Sequence, residues 1–232
     1  MSTSVSPLRA ALTVVPTPIG NLSDITLRAL EVLRQADVVL AEDTRTSSKL
    51  MHHYQIEARL QPFHIFNEHR ALEGLTRRMR EGERMALISD AGTPGIADPG
   101  FLLVRACLQE GLSVEVLPGP SSFLPALVKS GFPTDRFVFE GFLPHKKGRQ
   151  TILKRLAEED RTIVLFESPH RMMRLLEQII EFFGPDRRVS VSRELTKIHE
   201  ETRTGTASDL AGHFRVHEPR GEFVVVIEGK PV

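Results

Sequence analysis

Twelve residues, Ser89 to Gly100, read SDAGTPGIADPG and separate the apolar run RMALI from the stretch FLLVRACLQEG. A strand-to-helix connection usually needs about 2–6 residues, so this one is too long to be only a turn. Gly92, Gly95 and Gly100 open backbone conformations closed to other residues, while Pro94 and Pro99 fix φ and remove amide donors. A stiff loop with so little side-chain bulk can bring its peptide groups directly against a ligand. Related stretches, PTPIGNLSD, AEDTRTS, LPGPSS and ESPHR, each follow another apolar run. The chain contains no G-x-x-x-x-G-K-[ST] and no G-x-G-x-x-G after its first apolar run, so neither a P-loop nor a dinucleotide fingerprint is expected. Acidic and hydroxyl side chains without a phosphate-gripping lysine suit a ligand that lacks phosphates and offers amino, carboxylate, ribose and adenine groups.

Two of these stretches carry cations where helix electrostatics disfavour them. In ESPHR, Ser168 reads as an N-cap and Pro169 as the first helical residue. His170 and Arg171 then fall in the first turn, against the helix dipole, at ~0.3–1 kcal/mol each. EDTRTS repeats the arrangement, with Asp43 or Thr44 as cap and Arg45 in the first turn. An anion bound at the same helix end would offset both; half-exposed arginines in surface ion pairs are the plainer reading.

In PHKKGRQTILKR, residues His145, Lys146, Lys147, Arg149, Lys154 and Arg155 form the clearest basic run of the chain. Its 30 Lys and Arg balance 30 Asp and Glu, so any attraction to a polyanion must be local. The run is either a mobile loop that grips phosphates with salt-dependent affinity or a solvated linker leading into a charged helix face. Nearby, Phe137, Phe139 and Phe142 could stack on a splayed base, though alternation in RFVFEGF assigns some of them to the core. His52 and His53 point apart on a helix without an i, i+4 partner, and no metal site is expected. His64 reads as a packed histidine. The single cysteine, Cys107, reads as a buried thiol and excludes an intramolecular disulfide framework.

Strands and helices must position these stretches. With 232 residues, 41% hydrophobic and 26% charged, the chain can bury a core in one large domain or two compact ones. ALTVVPTP, DVVLAED, RLQPFHI, RMALIS and SVEVLP read as strands. DITLRALEVLRQA, with Ser23 or Asp24 as N-cap, TRTSSKLMHHYQI, EHRALEGLTRRMREG and FLLVRACLQEG read as helices. Alternation of the two implies a parallel sheet covered by helices, and such sheets bind ligands just outside the carboxyl ends of their strands. At PGPSSFLPALVKSGFPTDR the composition shifts to Pro, Gly and Ser, which marks a border between lobes 1–120 and 121–232. Beyond it, RFVFEGF, TIVLFES, RVSVSREL, EETRTGT and GEFVVVIEG read as strands, with RQTILKRLAEE, PHRMMRLLEQIIEFFG and SDLAGHF as helices. Several of these strands follow one another without a helix, so the second sheet should be mixed. The expected fold class is α/β, with a parallel sheet in the N-terminal lobe and a mixed sheet in the C-terminal lobe. Neither a run of about 18 apolar residues nor a leader-like start is present, so a cytoplasmic protein is expected. MSTSVSPLRA reads as a frayed end.

Taken in order, TPIGNLSDITLRA, AEDTRTSSKL, LISDAGTPGIADPG, LPGPSS, EGFLPHKKGR, FESPHR and RELTKIHEE resemble the bacterial small-subunit ribosomal RNA cytidine 2′-O-methyltransferases, a family of the tetrapyrrole methylase superfamily. The resemblance runs from about Thr13 to about Gly229. It implies two α/β lobes with S-adenosyl-L-methionine in the cleft between them, and a homodimer. The acceptor it implies is the ribose 2′-hydroxyl of a cytidine in the decoding region of 16S rRNA, met as naked RNA or as the small ribosomal subunit, with no membrane partner. Superfamily relatives hold the methyl donor with a Gly-Asp-Pro loop. The matching Gly92, Thr93 and Pro94 replace the acid with threonine, and Asp90 or Asp98 could supply the carboxylate. Ser121 and Ser122 match a hydroxyl pair at the donor, and Pro18 matches the position that closes over it. Arg45, Lys146, Lys147, Arg149 and Arg171 are the expected RNA contacts.

Methyl transfer from a sulfonium to a hydroxyl is an in-line displacement on an already activated donor. Alignment therefore matters most, aided by a base that removes the hydroxyl proton. Asp43, Glu42 and Glu194 are the candidate bases, with Asp43 first because it ends a strand at the expected site, and Lys146 is an electrostatic helper. Two other readings stay open at this level: a tetrapyrrole or other small-molecule methyltransferase, and a non-catalytic ribosome-binding or ligand-sensing module.

Overall fold

The computed structural model describes residues 8–231; the first seven residues of the expected frayed start lie outside them. The chain divides into two compact units, Met1–Ser121 and Ser122–Val232.

In the first unit, strands β1 (Leu12–Val14), β2 (Val38–Ala41), β3 (Leu60–Pro62), β4 (Met85–Ile88) and β5 (Val114–Val116) alternate with helices α1 (Leu27–Gln35), α2 (Thr44–His53), α3 (Glu68–Arg80) and α4 (Phe101–Gln109). The strands are all parallel, in the order β3-β2-β4-β1-β5. Helices cover both faces, which is why the central strands are apolar at successive positions. Val39, Ala41, Ala86 and Ile88 pack with Ala29, Leu33 and Met51 of α1 and α2. On the other side, Leu12, Val14, Leu40 and Leu87 pack with Leu75, Met79, Leu103 and Cys107 of α3 and α4. Cys107 is the buried thiol that its apolar helix implied.

Helix α1 begins later than the sequence suggests. Asn21 captures the Ser23 amide and caps a separate 3₁₀ turn over Leu22–Asp24. Ser23 and Asp24 are thereby absorbed into that turn, and Thr26 becomes the N-cap of α1, accepting from the Ala29 amide at 3.0 Å.

The second unit contains α5 (Phe123–Ser130), β6 (Phe137–Phe142), α6 (Arg149–Ala157), β7 (Thr162–Glu167), α7 (Pro169–Phe183), β8 (Arg188–Arg193), β9 (Glu201–Thr206), α8 (Ala207–Val216) and β10 (Phe223–Ile227). Its sheet runs β6-β7-β10-β8-β9. Only β6 and β7 are parallel; the other three pairings are antiparallel, so the sheet is mixed as expected. Helices α6, α7 and α8 bury Leu153, Leu175, Ile179 and Leu210 against Ile163, Leu165, Val191 and Val225. Helix α5 occupies the Pro/Gly/Ser stretch read from the sequence as a border. Pro125 is tolerated because it lies in the first turn, where the amide has no intrahelical partner, and Gly131 ends the helix at φ 72°. Among the described residues, no helix is long and apolar enough to cross a membrane.

Candidate functional site

The strands of the first sheet point their carboxyl ends to one edge, and the loops leaving β1, β2, β4 and β5 are stitched together there. Thr17 and Gly92 exchange two backbone hydrogen bonds, each 2.9 Å. The Thr17 hydroxyl donates to the Ser89 carbonyl at 3.0 Å, and the Thr93 hydroxyl to the Pro120 carbonyl at 3.1 Å. The Asp43 amide donates to Asp90 Oδ1 at 3.1 Å. Gly92 sits at φ 81°, in the left-handed region where only glycine is at ease. Both of its peptide groups serve Thr17, so Gly92 holds the loop, and direct peptide contact with a ligand falls to its neighbours. Thr93, where an acid was expected, ties the β4 loop to the β5 loop with an uncharged hydroxyl.

The far end of the Ser89–Gly100 loop is fixed by a residue that sequence reasoning missed. Glu68, the first residue of α3, is buried, and its Oε1 accepts from the Gly100 amide at 3.0 Å. Gly100 has φ 136°, and a Cβ there would come within 2.8 Å of Leu87 Cδ2. In the sequence Glu68 looks like an ordinary acidic complement to a helix N-terminus; nothing local reveals a partner 32 residues away.

A cavity of about 210 Å³ opens at this edge, lined by Thr17, Pro18, Thr46, Ser47, Ser89 and Asp90 among others. The Ser47 and Ser121 hydroxyls are buried without a hydrogen-bond partner in the described structure. Orphaned polar atoms of this kind are rare and costly, and a polar ligand would relieve them. The side chain of Ser122, at the N-cap position of α5, makes no capping bond. The donor set of the first unit by itself suits a small polar ligand with amino, carboxylate and hydroxyl groups.

Four carboxylates cluster at the same edge, and their environments push them apart. Burial raises the Glu42 pKa, helped by the charges of Asp98, Asp90 and Asp43. Burial likewise raises Asp98, with Asp90 adding to it, and raises Asp90. Asp43 goes the other way, to about 2, because the Arg45 side chain and the Arg45 and Thr46 amides hydrogen-bond its charged form. Asp43 is the N-cap of α2, its Oδ1 accepting from the Arg45 amide at 2.8 Å and its Oδ2 from Arg45 Nη2 at 2.7 Å. Asp43 is thus held as an anion by its own helix cap, while its neighbour Glu42 is shifted toward the protonated form. Arg45 is an exposed arginine engaged with its own cap. Glu194 belongs to the second unit. Its burial opposes ionisation, but the Glu222 amide and Lys197 ammonium outweigh it and leave the pKa below the ordinary value.

In the second unit, Lys146 and Lys147 stand exposed between β6 and α6. Arg149 does not join them. Its side chain is 1% exposed and bonds Glu167, Gln178 and the Pro144 carbonyl, so it is withdrawn from the set of RNA contacts: a guanidinium sealed inside the fold cannot reach a phosphate. Arg171 is 14% exposed, paired with Glu167 and donating to the Leu143 carbonyl. The first-turn cation of α7 is thus compensated from inside the protein. Ser168 holds the N-cap position and Pro169 the first helical position as the sequence implied, although Ser168 makes no side-chain capping bond. Phe139 packs with Phe123 and Phe166, while Phe142 is half exposed beside Phe166.

A family model described as Tetrapyrrole (Corrin/Porphyrin) Methylases matches residues 11–211. Ribosomal RNA small subunit methyltransferase I of Thermotoga maritima is 46% identical over 94% of this chain and 98% of its own length. The protein of the same name from Escherichia coli O157:H7 is 47% identical over 94% of this chain and 77% of its own length. Among solved structures, uroporphyrin-III-C-methyltransferase from Thermus thermophilus superposes with a TM-score of 0.65 at 25% identity, covering 94% of both chains. Diphthine synthase superposes with a TM-score of 0.75 at 16% identity, covering 95% of this chain and 90% of its own.

Proposed function

Because the chain belongs to the tetrapyrrole methylase family, we propose that it is an S-adenosyl-L-methionine-dependent methyltransferase of small-subunit ribosomal RNA. The observation that carries this reading is the near-full-length identity with proteins named for that activity. The stitched edge of the first sheet supports it, with two unpartnered buried hydroxyls beside loops poor in side chains. When bound there, the donor supplies an activated methyl group.

Ser121 and Ser122, the peptide groups around Thr93 and Pro94, and Pro18 at the cavity wall hold that molecule, and Gly92 sets the loop. Asp90 and Asp98 place negative charge near a cationic sulfonium and amino group, which in turn relieves their mutual repulsion. Glu42 takes the proton from the attacking hydroxyl, since its raised pKa makes it a better proton acceptor than Asp43. The acceptor is the 2′-hydroxyl of a cytidine in the decoding region of 16S rRNA, and Lys146 and Lys147 contact the RNA backbone. A homodimer in the cytoplasm completes the proposal.

The identity with proteins named for ribosomal RNA favours RNA over a tetrapyrrole. Mapping of ribose methylation in small-subunit rRNA from cells with and without the gene tests the reading. One cytidine should lose its methyl group on deletion and regain it on complementation. An unchanged map, together with methyl transfer to a corrinoid in vitro, would replace the RNA reading by the small-molecule one. Failure to bind S-adenosyl-L-methionine in calorimetry would leave only a non-catalytic module.

A further inference from the structure

Three arginines of the second unit hold three consecutive carbonyls at the root of the basic loop. Arg171 Nη1 donates to the Leu143 carbonyl at 3.0 Å, Arg149 Nη1 to Pro144 at 3.4 Å, and Arg174 Nη1 to His145 at 3.4 Å. Two of the three are locked onto one carboxylate. Glu167, the last residue of β7, receives Arg149 Nη2 on Oε2 at 3.1 Å and Arg171 Nε on Oε1 at 2.7 Å. Its Oε1 also accepts from the Ser168 amide at 2.9 Å. Gln178 Oε1 fixes the remaining edge of Arg149 at 2.8 Å. The side chains of Glu167 and Arg149 are 0% and 1% exposed.

A buried ion network of this kind is a poor route to stability, since apolar residues of the same volume often do as well or better. What it provides is direction: planar guanidiniums with fixed donors set the course of the backbone they bind. The residues that follow the clamped carbonyls are Lys146, Lys147 and Gly148, all exposed.

We propose that Glu167 is a positioning residue which, through Arg149 and Arg171, fixes the Leu143–His145 backbone and thereby aims Lys146 and Lys147 at ribosomal RNA. The inference rests on the reading of that RNA as substrate. A loop already held in place loses less freedom on binding than a swinging one, so the clamp acts on affinity for the RNA partner and leaves the methyl donor untouched.

Arg171→Ala, Arg174→Ala and Glu167→Gln test it in the full chain. Trypsin cleavage after Lys146 and Lys147, followed by mass spectrometry, reads the loop directly. Methyl transfer to small ribosomal subunits reads its use, and thermal unfolding reads the fold. Arg171→Ala should unfold cooperatively and be cut about tenfold faster at the two lysines, as local opening becomes easier. Its KM for subunits should rise by roughly tenfold with kcat and donor affinity unchanged, the split expected when binding alone is lost. Arg174→Ala should show the same pattern more weakly, and Glu167→Gln more strongly; if Glu167→Gln fails to fold, the arginine variants decide. Unchanged cleavage in a folded Arg171→Ala overturns the clamp. Faster cleavage without a rise in KM overturns its role in RNA binding. Faster cleavage in a protein whose wild type methylates no RNA upholds the clamp and refutes the RNA reading instead.

Discussion

The backbone amide of Asp43 donates to the carboxylate of Asp90, 3.1 Å away, which ties the end of β2 to the second residue of the Gly/Pro loop. This bond joins Asp43 to Asp90, whose charges, with that of Asp98, add to burial in raising Glu42, the base proposed above. Glu42→Gln should lower methyl transfer by roughly 10²–10⁴-fold, the range for losing a positioned base, with donor binding retained in calorimetry. Asp43→Asn should keep most of the activity, because the asparagine still caps α2. If Asp43→Asn is the more damaging of the two, the assignment is reversed.

The pH dependence follows from the same cluster. The acidic limb of the rate profile should lie above the ordinary glutamate value of 4.5, since Glu42 is raised. Asp98→Asn removes one of the charges responsible and should move that limb to lower pH. Stability changes in a defined direction too. Glu42, Asp90 and Asp98 bind protons more tightly when folded, so their contribution favours the fold at low pH and is lost as pH rises through their folded pKa values. Asp43 contributes oppositely: its stabilisation is present above 3.8 and is lost as pH falls through about 2. Titration of urea unfolding for wild type and Asp98→Asn should show the gap between them closing toward low pH.

Glu68→Ala removes the acceptor for the Gly100 amide. Leaving that buried donor unpaired should cost about 1–3 kcal/mol of stability in chemical denaturation. The loosened Ser89–Gly100 loop should also bind S-adenosyl-L-methionine more weakly. Equal donor affinity in the variant would show that the anchor serves only the fold.

Lys146→Ala combined with Lys147→Ala should weaken binding to small ribosomal subunits. The slope of log affinity against log salt should shrink by about 2, about 1 for each phosphate that a lysine no longer neutralises. Arg149→Ala should behave differently, lowering stability rather than the salt slope, because it leaves Glu167 Oε2 and Gln178 Oε1 without their buried partner while Arg171 still pairs with Oε1. Denaturation and filter binding separate the two outcomes, although the residues stand two positions apart in one basic run.

Cys107 is fully buried, and burial pushes its thiol up to about 11. Alkylation by iodoacetamide at neutral pH should therefore follow the unfolding rate of the chain. Fast labelling of the folded protein would contradict its placement against Met79.

Strand and helix alternation determined the architecture from the sequence alone, because period and apolar run length respond to local packing on a sheet covered on both faces. The Gly/Pro loops were legible for the same reason: positive φ at Gly92 and Gly100 is a local demand that few other residues meet. Helix α5 was not legible, since Pro125 signals a break unless its place in the first turn is known. Charge was the least readable property. Arg149 and Lys147 look alike in HKKGR, yet one is sealed against Glu167 and the other faces water. Glu42 and Asp43 are neighbours, yet one is raised and the other lowered. Burial and ion pairing are set by residues distant along the chain, so only the tertiary structure could separate the buried charge from the available one.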